Sequence, residues 1–533
     1  MTRLEIEIQG MTCDGCARHV EHALEQAGAG EPDVDWRRGS AVVSHGDVDE
    51  RAFEEALAGT RYSVRRIVRR DGEPPSANDG AAYDYDLIVL GSGGASFAAA
   101  IRARDLGRRV LLVEHGTIGG TCVNVGCVPS KSLLADSERA HRTGAPLLAD
   151  AVARKAALVG QLRQEKYIGL LDAYGIELRE EQATLAGPHG VAVDGETLTA
   201  GAILVATGAR PAVPAIDGLE ESGYLTSTSA LEVTEAPRRL AVIGANAVGL
   251  ELGQAFGNFG SQVTFLDVAR VTPFEEPEVS EAIRGVLEDD GHTVIEGART
   301  ERVRIEGGEK VLAGRHAGER FELRVDEILV ATSRVPNTDD LGLETVGVET
   351  DGRGAVVVDS RQRTSVPSIW AAGDVTSQPQ FVYVAAAGGA AAAENALGAG
   401  DERLDFGALP RIIFTTPTIA GAGLTEAQAR EQGLQVESRV LPLEAVPRAL
   451  VNGNTRGLVK LVAEAGSGRL LGASIVADGA GEVIQSAVLA IDRDMTVGEL
   501  ASTWAPYLTM AEALKLAAQT FTRDVARLSC CAA

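Results

Sequence analysis

The chain has 533 residues, 45% of them hydrophobic, and a formal charge of -25 at pH 7. Such a length predicts several cores rather than one, and the acidic excess excludes nucleic acid and an anionic membrane surface as main partners. No apolar run approaches the about 20 residues of a membrane-spanning helix, so stable membrane insertion is not expected.

The first residues, MTRLEIEIQG, carry no apolar leader core, which makes a cytosolic protein the expectation. The six cysteines form three close pairs: Cys13 with Cys16, Cys122 with Cys127, and Cys530 with Cys531. In a reducing compartment, close pairs point to soft-metal binding or redox work rather than to structural staples.

LEIEI (4–8) alternates like a half-buried strand. The loop GMTCDGC follows with Cys13 and Cys16, then a helical stretch from about Ala17 to Ala27. SAVVSH reads as a strand, VDERAFEEALAG as a helix and YSVRRIV as a last strand. The order is that of a ferredoxin-like βαββαβ domain over residues 1–68. Met11 is expected in the core, and His19, His22 and His45 at the surface. Residues 69–83, RRDGEPPSANDGAAY, have no apolar period and are expected to form a linker.

From residue 84 strands alternate with helices. YDLIVLGSGGASFAAAIRARDLGRRVLLVEHG reads strand, glycine turn, helix, strand, with Gly91, Gly93 and Ser96 at the three positions of G-x-G-x-x-G. The first glycine permits the turn and the second lets a pyrophosphate approach the helix N-terminus. Glu114 ends the next strand, where a carboxylate accepts from a ribose hydroxyl. The design recurs with Gly244, Asn246 and Gly249, followed by Glu251 on the helix and Asp267 at the end of the following strand. Two such units predict two dinucleotide sites. Asp267 favours the 2'-hydroxyl of NAD, and nearby Arg270 the 2'-phosphate of NADP; the residues leave the choice open. ILVATGARP, with Gly208, and EILVATSRVPN recur at the ends of the two units. SIWAAGDV ends a strand at Asp374, a usual place for a carboxylate that holds flavin ribityl hydroxyls. Beyond about residue 405 the pattern becomes antiparallel strands with helices, suited to a dimer interface.

These residues, and above all GGTCVNVGCVPSK (119–131), resemble the pyridine nucleotide–disulphide oxidoreductase family over residues 84–533. The resemblance implies an α/β fold: two Rossmann-like dinucleotide-binding domains plus an α+β dimerisation domain, here preceded by the ferredoxin-like one. The expected boundaries are 84–225 and 351–404 for the FAD-binding domain, 226–350 for the NAD(P)-binding domain and 405–533 for the dimerisation domain. It further implies FAD, with Gly116, Thr121, Ala183, Gly208 and Val382 among the cofactor contacts, and a redox-active Cys122–Cys127 disulfide beside the flavin. Cys127 would face the flavin and Cys122 would exchange with substrate, while Lys131 would approach the flavin and pair with Glu251. NADPH is implied by the resemblance, with NADH equally open from Asp267. Pro129 suits the first turn of a helix whose N-terminus would lower the pKa of a nearby thiol.

Disulfide reductases of the family usually carry a histidine five residues before a glutamate near the C-terminus. Here Glu512 is kept, but Tyr507 stands in the histidine's place. A phenol is a poor proton acceptor at neutral pH, so dithiol chemistry is disfavoured. Adjacent Cys530 and Cys531 have Cα atoms only about 3.8 Å apart, which strains a disulfide and suits two thiolates on one soft ion. PYLTMAEALKLAAQTF and this tail resemble the branch of the family that reduces Hg(II), and GMTCDGC resembles the heavy-metal-associated domain. The expectation is therefore an NAD(P)H-dependent flavoenzyme reducing Hg(II) to Hg(0). Thiolate-bound Hg(II) would pass from Cys13 and Cys16 to Cys530 and Cys531 of a homodimer partner, then to Cys122 and Cys127. Tyr167 and Tyr507 would line that site. The rivals are a thioredoxin- or glutathione-reductase-like enzyme and a non-catalytic soft-metal scavenger.

Overall fold

The computed structural model describes residues 2–9, 11, 17, 20–24, 27, 30–35, 40–45, 50–57, 60, 62–70 and 83–525. The chain divides into two compact units, residues 1–84 and 85–533.

In the first unit four strands, β1 (Thr2–Gln9), β2 (Gly30–Asp35), β3 (Ser40–His45) and β4 (Ser63–Arg70), form an antiparallel sheet in the order β2-β3-β1-β4. Helical residues at 17 and 20–24 and the helix Glu50–Leu57 complete the βαββαβ order. Period two puts Ile6 and Ile8 of β1 into the core, and the i, i+4 spacing does the same for Phe53 and Leu57 of the helix. Met11 packs against this core, as expected, and His22 is exposed. The strand Gly30–Asp35 has no counterpart among the strands read from the sequence. Its residues, GEPDVD, are poor strand formers, and pairing with β3 overrides that preference. Cys13, Cys16, His19 and most of the expected linker lie outside the described residues.

The second unit opens with β5 (Tyr85–Leu90), β6 (Val110–Val113), β7 (Glu177–Arg179), β8 (Ala183–Gly187), β9 (Gly190–Val193) and β10 (Glu196–Val205). The sheet order is β7-β6-β5-β10-β9-β8, with Ile369–Ala371 returning to pair in parallel with β10. Leu87, Ile88, Val89 and Leu90 are all buried, the continuous apolar run of a parallel strand covered on both faces. The helix Gly94–Asp105 lies against the alanine- and glycine-rich helix Val382–Ala396, so close that a Cβ on Gly389 would stand 2.0 Å from the Ala95 carbonyl oxygen. Residues almost 300 positions apart in sequence thus share one nucleotide domain.

The second Rossmann-like sheet is wholly parallel, in the order Thr293–Glu296, Gln262–Asp267, Arg239–Ile243, Glu327–Val330. A three-stranded antiparallel sheet, Ala298–Glu306 to Glu319–Val325, adjoins it. The C-terminal part is a five-stranded antiparallel sheet in the order Pro410–Ile413, Thr418–Gly423, Leu470–Ala477, Leu458–Glu464, Val436–Pro442. Every residue of Leu470–Ala477 is buried, and Ile484 and Leu514, from the helices Ala480–Asp492 and Glu512–Gln519, close the core. Among the described residues no helix is long and apolar enough to cross a membrane.

Candidate active site

Gly91 and Gly244 do the same work in the two nucleotide units. Their φ values are +110° and +108°, a region L-residues avoid. A Cβ would stand 2.5 Å from the Ala206 oxygen and 2.4 Å from the Ala331 oxygen respectively. Each turn delivers the chain into a helix, Gly94–Asp105 or Ala247–Asn258, and neither helix has a side-chain cap at its N-terminus. The leading N–H groups are therefore left for an anion. Gly93 and Asn246 are the N-cap residues, and Gly249 packs its Cα against the Gly244 carbonyl, where a Cβ would come within 1.9 Å.

Glu114 ends β6 with both carboxylate oxygens held. Oε2 accepts from Ser92 Oγ at 2.7 Å and Oε1 from Gly116 N at 2.6 Å. Ser92 Oγ in turn accepts from Gly119 N at 3.1 Å, which ties the Glu114 carboxylate to the start of the cysteine loop. Ser96 is fully buried, and its hydroxyl has no partner among the described residues. Val382 begins the helix Val382–Ala396 and comes within 3.3 Å of the Cβ position of Gly94. Asp374 faces Arg334, with Nε to Oδ2 at 3.5 Å. Burial pushes the Asp374 carboxyl above its ordinary pKa, and Arg334 opposes the rise. Gly208 accepts through its carbonyl from Asn337 N at 2.9 Å, joining the two recurring ATG/ATS segments. Ala183 opens β8, four residues after Arg179, whose carbonyl accepts from Glu114 N.

The cysteine loop is positioned by two short turns of helix. Gly120–Asn124 carries Thr121 and Cys122, and Cys127 is the first residue of the helix Cys127–Thr143. Both cysteines are free thiols, Cys122 half-buried and Cys127 exposed. The Cys122 thiol donates to Cys127, which pushes its own pKa up; that hydrogen bond, aided by the Lys131 ammonium and opposed by burial, lowers Cys127 to about 7. Cys127 is thus the thiolate of the pair and Cys122 its proton holder. Tyr167, in the helical turn Gln164–Ile168, stacks edge-on against Phe97 at 5.0 Å. Burial raises its pKa, and the charges of Cys122 and Cys127 raise it further, placing the phenol beside the thiols.

Lys131 Nζ lies 2.6 Å from Glu251 Oε2 and 4.6 Å above the Phe414 ring. Glu251 Oε1 accepts from Phe414 N at 2.9 Å. Three parts of the unit meet here: the cysteine helix, the helix of the second nucleotide turn and the first strand pair of the C-terminal sheet. Gln254 extends the junction, donating to the Thr416 carbonyl at 2.9 Å and accepting from Thr416 N at 2.7 Å. Thr416 Oγ1 donates to Glu138 Oε1 at 2.6 Å.

Phe414 and Tyr383 were not singled out in the sequence. Phe414 stands in RIIFTTP, where nothing in the period marks it. The Tyr383 phenol is pushed up to about 12, first by burial, with Arg411 opposing and the charge of Cys127 adding to the rise. Glu512 is buried and accepts from Leu508 N at 3.3 Å, while Tyr507 is exposed. Asp267 accepts from Ala245 N at 2.7 Å and Ala269 N at 2.8 Å. Arg270 Nη2 donates to the Pro273 and Glu275 carbonyls. Cys530 and Cys531 lie outside the described residues.

The pyridine nucleotide-disulphide oxidoreductase model matches residues 85–389, its dimerisation domain residues 409–518, and the heavy-metal-associated domain residues 5–63. The chain belongs to the pyridine nucleotide-disulphide oxidoreductase family. Within that family it is 46% identical to a mercuric reductase of Staphylococcus aureus, over 99% of both chains. It is 48% identical to one from Acidithiobacillus ferrooxidans, over 99% of this chain and 98% of the relative. A third, from Streptomyces lividans, is 51% identical over 84% of this chain and 98% of its own; 84% is the share that residues 85–533 make up. The HOCl-induced flavoprotein disulfide reductase RclA from Escherichia coli shares the fold at a TM-score of 0.75 and 32% identity, over 82% of this chain and 99% of that one.

Membership implies FAD and a pyridine nucleotide, and the residues fit them. Both glycine turns present uncapped helix N-termini, and at the first the buried Ser96 hydroxyl has no partner among the described residues. The match to the family's dimerisation domain over residues 409–518 points to a homodimer.

Proposed function

We propose that the chain reduces Hg(II) to Hg(0) with NAD(P)H as the electron source. One observation carries the reading: the thiol pair with Cys127 held near pKa 7 beside Lys131 belongs to a chain whose relatives over nearly its full length are mercuric reductases. FAD, when bound, supplies the route for an electron pair from nicotinamide to the thiol pair and the metal.

The residues divide the remaining tasks. Gly91, Gly93, Glu114 and Asp374 hold the flavin dinucleotide, and Gly244, Gly249 and Asp267 the nicotinamide one. The Cys122 hydrogen bond and then Lys131, fixed by Glu251, favour the Cys127 thiolate, and a thiolate is the form that ligates a soft ion. Cys122, which holds the pair's proton, is the thiol that exchanges with incoming Hg(II)–thiolate complexes and loses that proton as it ligates. Cys13 and Cys16 capture Hg(II). Cys530 and Cys531 of the partner subunit deliver it, so that each handover exchanges one thiolate for another and no free ion is released. Tyr167 and Tyr507 border the thiols and close the site around the metal. The enzyme works in the cytosol, where thiols stay reduced.

The deciding assay follows NAD(P)H oxidation with Hg(II) in excess thiol, against oxidised glutathione, lipoamide and thioredoxin. Volatile mercury with Hg(II) as the preferred oxidant is the expected result. Turnover of a disulfide without volatile mercury refutes the proposal.

A further inference from the structure

A cavity of about 350 Å³ lies beside the second glycine turn, with Ile216, Gly244, Asp267, Val268, Arg299 and Thr300 in its wall. It sits beyond the carboxyl end of the strand Gln262–Asp267, where an adenosine ribose is bound in Rossmann-like units. The Thr300 hydroxyl is buried and without a partner among the described residues, as expected of a wall built for a polar ligand.

We infer that this chain selects NAD(H) over NADP(H), and that Asp267 and Val268 set the choice. The inference rests on the family reading of the second unit as the nicotinamide site and not on the identity of the metal.

The Asp267 carboxylate is locked by the two backbone N–H groups it accepts from, those of Ala245 and Ala269. Each oxygen keeps a lone pair for a ribose hydroxyl, which can donate; a 2'-phosphate has none of its charge answered there and meets a like charge. Val268, 72% exposed, is the next residue and offers no donor. Arg270, the cation that the sequence sets against Asp267, does not line the cavity, and its Nη2 donates to the carbonyls of Pro273 and Glu275. The same loop is pinned by a second carboxylate, Glu296, which accepts from Val271 N at 2.8 Å. Arg299 is the cation in the cavity wall, and it stands on the opposite strand, Ala298–Glu306, rather than on the loop after Asp267.

The test titrates the FAD-loaded dimer with NAD⁺ and with NADP⁺ by calorimetry, without Hg(II), and measures flavin bleaching by NADH and NADPH in the absence of oxygen. NAD⁺ is expected to bind about tenfold or more tighter than NADP⁺. Asp267→Asn, which keeps an acceptor and loses the charge, should narrow that ratio several-fold by improving NADP⁺ binding. Val268→Arg touches neither locked hydrogen bond and should narrow it further. Arg299→Ala should leave the ratio unchanged. Equal or tighter binding of NADP⁺ by the unaltered enzyme overturns the inference. So does an unchanged ratio in folded Val268→Arg, or selective loss of NADP⁺ binding in Arg299→Ala. Because no metal is present, any of these outcomes leaves the mercury proposal standing.

Discussion

Lys131 and Glu251 are 120 residues apart in sequence and 2.6 Å apart in space, with Glu251 buried and both partners touching Phe414. This contact ties the cysteine helix to the second nucleotide helix, and it sets the charge felt by Cys127.

Replacing Lys131 with methionine removes that cation while keeping the stem's bulk. The Cys127 pKa, about 7 in the intact protein, should rise by roughly one unit. In the reduced enzyme the alkylation rate of Cys127 climbs as pH passes through its pKa, so the climb should move to higher pH in the variant. An unshifted profile, read by iodoacetamide labelling across pH, would show that Lys131 does not hold the thiolate.

The same profile separates the two thiols. Cys127 is lowered and Cys122 raised, so in the neutral range labelling should fall on Cys127 first. Peptide mapping after a short exposure checks the order, and Cys127→Ser should bring the Cys122 pKa down toward its ordinary value, with burial still holding it above.

Gln254 is buried and bridges both backbone groups of Thr416. Gln254→Ala leaves a donor and an acceptor unanswered at a domain junction, at a cost of about 1–3 kcal/mol. Urea denaturation of the variant should show the loss at an unchanged m-value.

Tyr507 stands where dithiol enzymes of the family place their base. A missing general base slows such chemistry by about 10²-fold or more, so oxidised glutathione should be a very poor oxidant. Tyr507→His should raise disulfide turnover, and Tyr507→Phe should not.

Replacing Cys530 and Cys531 with alanine should impair turnover of thiol-ligated Hg(II) most, whereas removing residues 1–68 should leave turnover intact when thiols are plentiful. Equal rates in the tail variant would refute the relay.

Much of this was legible along the chain because it is local. The glycine turns, Glu114, Asp267, the cysteine loop with Lys131 and the exchange of histidine for Tyr507 are all stretches of a few residues whose chemistry depends on their neighbours in sequence. The βαββαβ order was legible too, except at Gly30–Asp35, where strand pairing overrides residues that favour turns.

Tertiary structure decided what depends on distance. Phe414 meets Lys131 and Glu251 only because the first strand pair of the C-terminal sheet folds back onto the cysteine helix and the second nucleotide helix, and no local period announces that. Arg270 and Asp267 looked like equal claims on the nucleotide while only their spacing was known. The fold separates them: two backbone N–H groups lock the Asp267 carboxylate at the strand end beside the glycine turn, while Arg270 Nη2 turns to the carbonyls of Pro273 and Glu275.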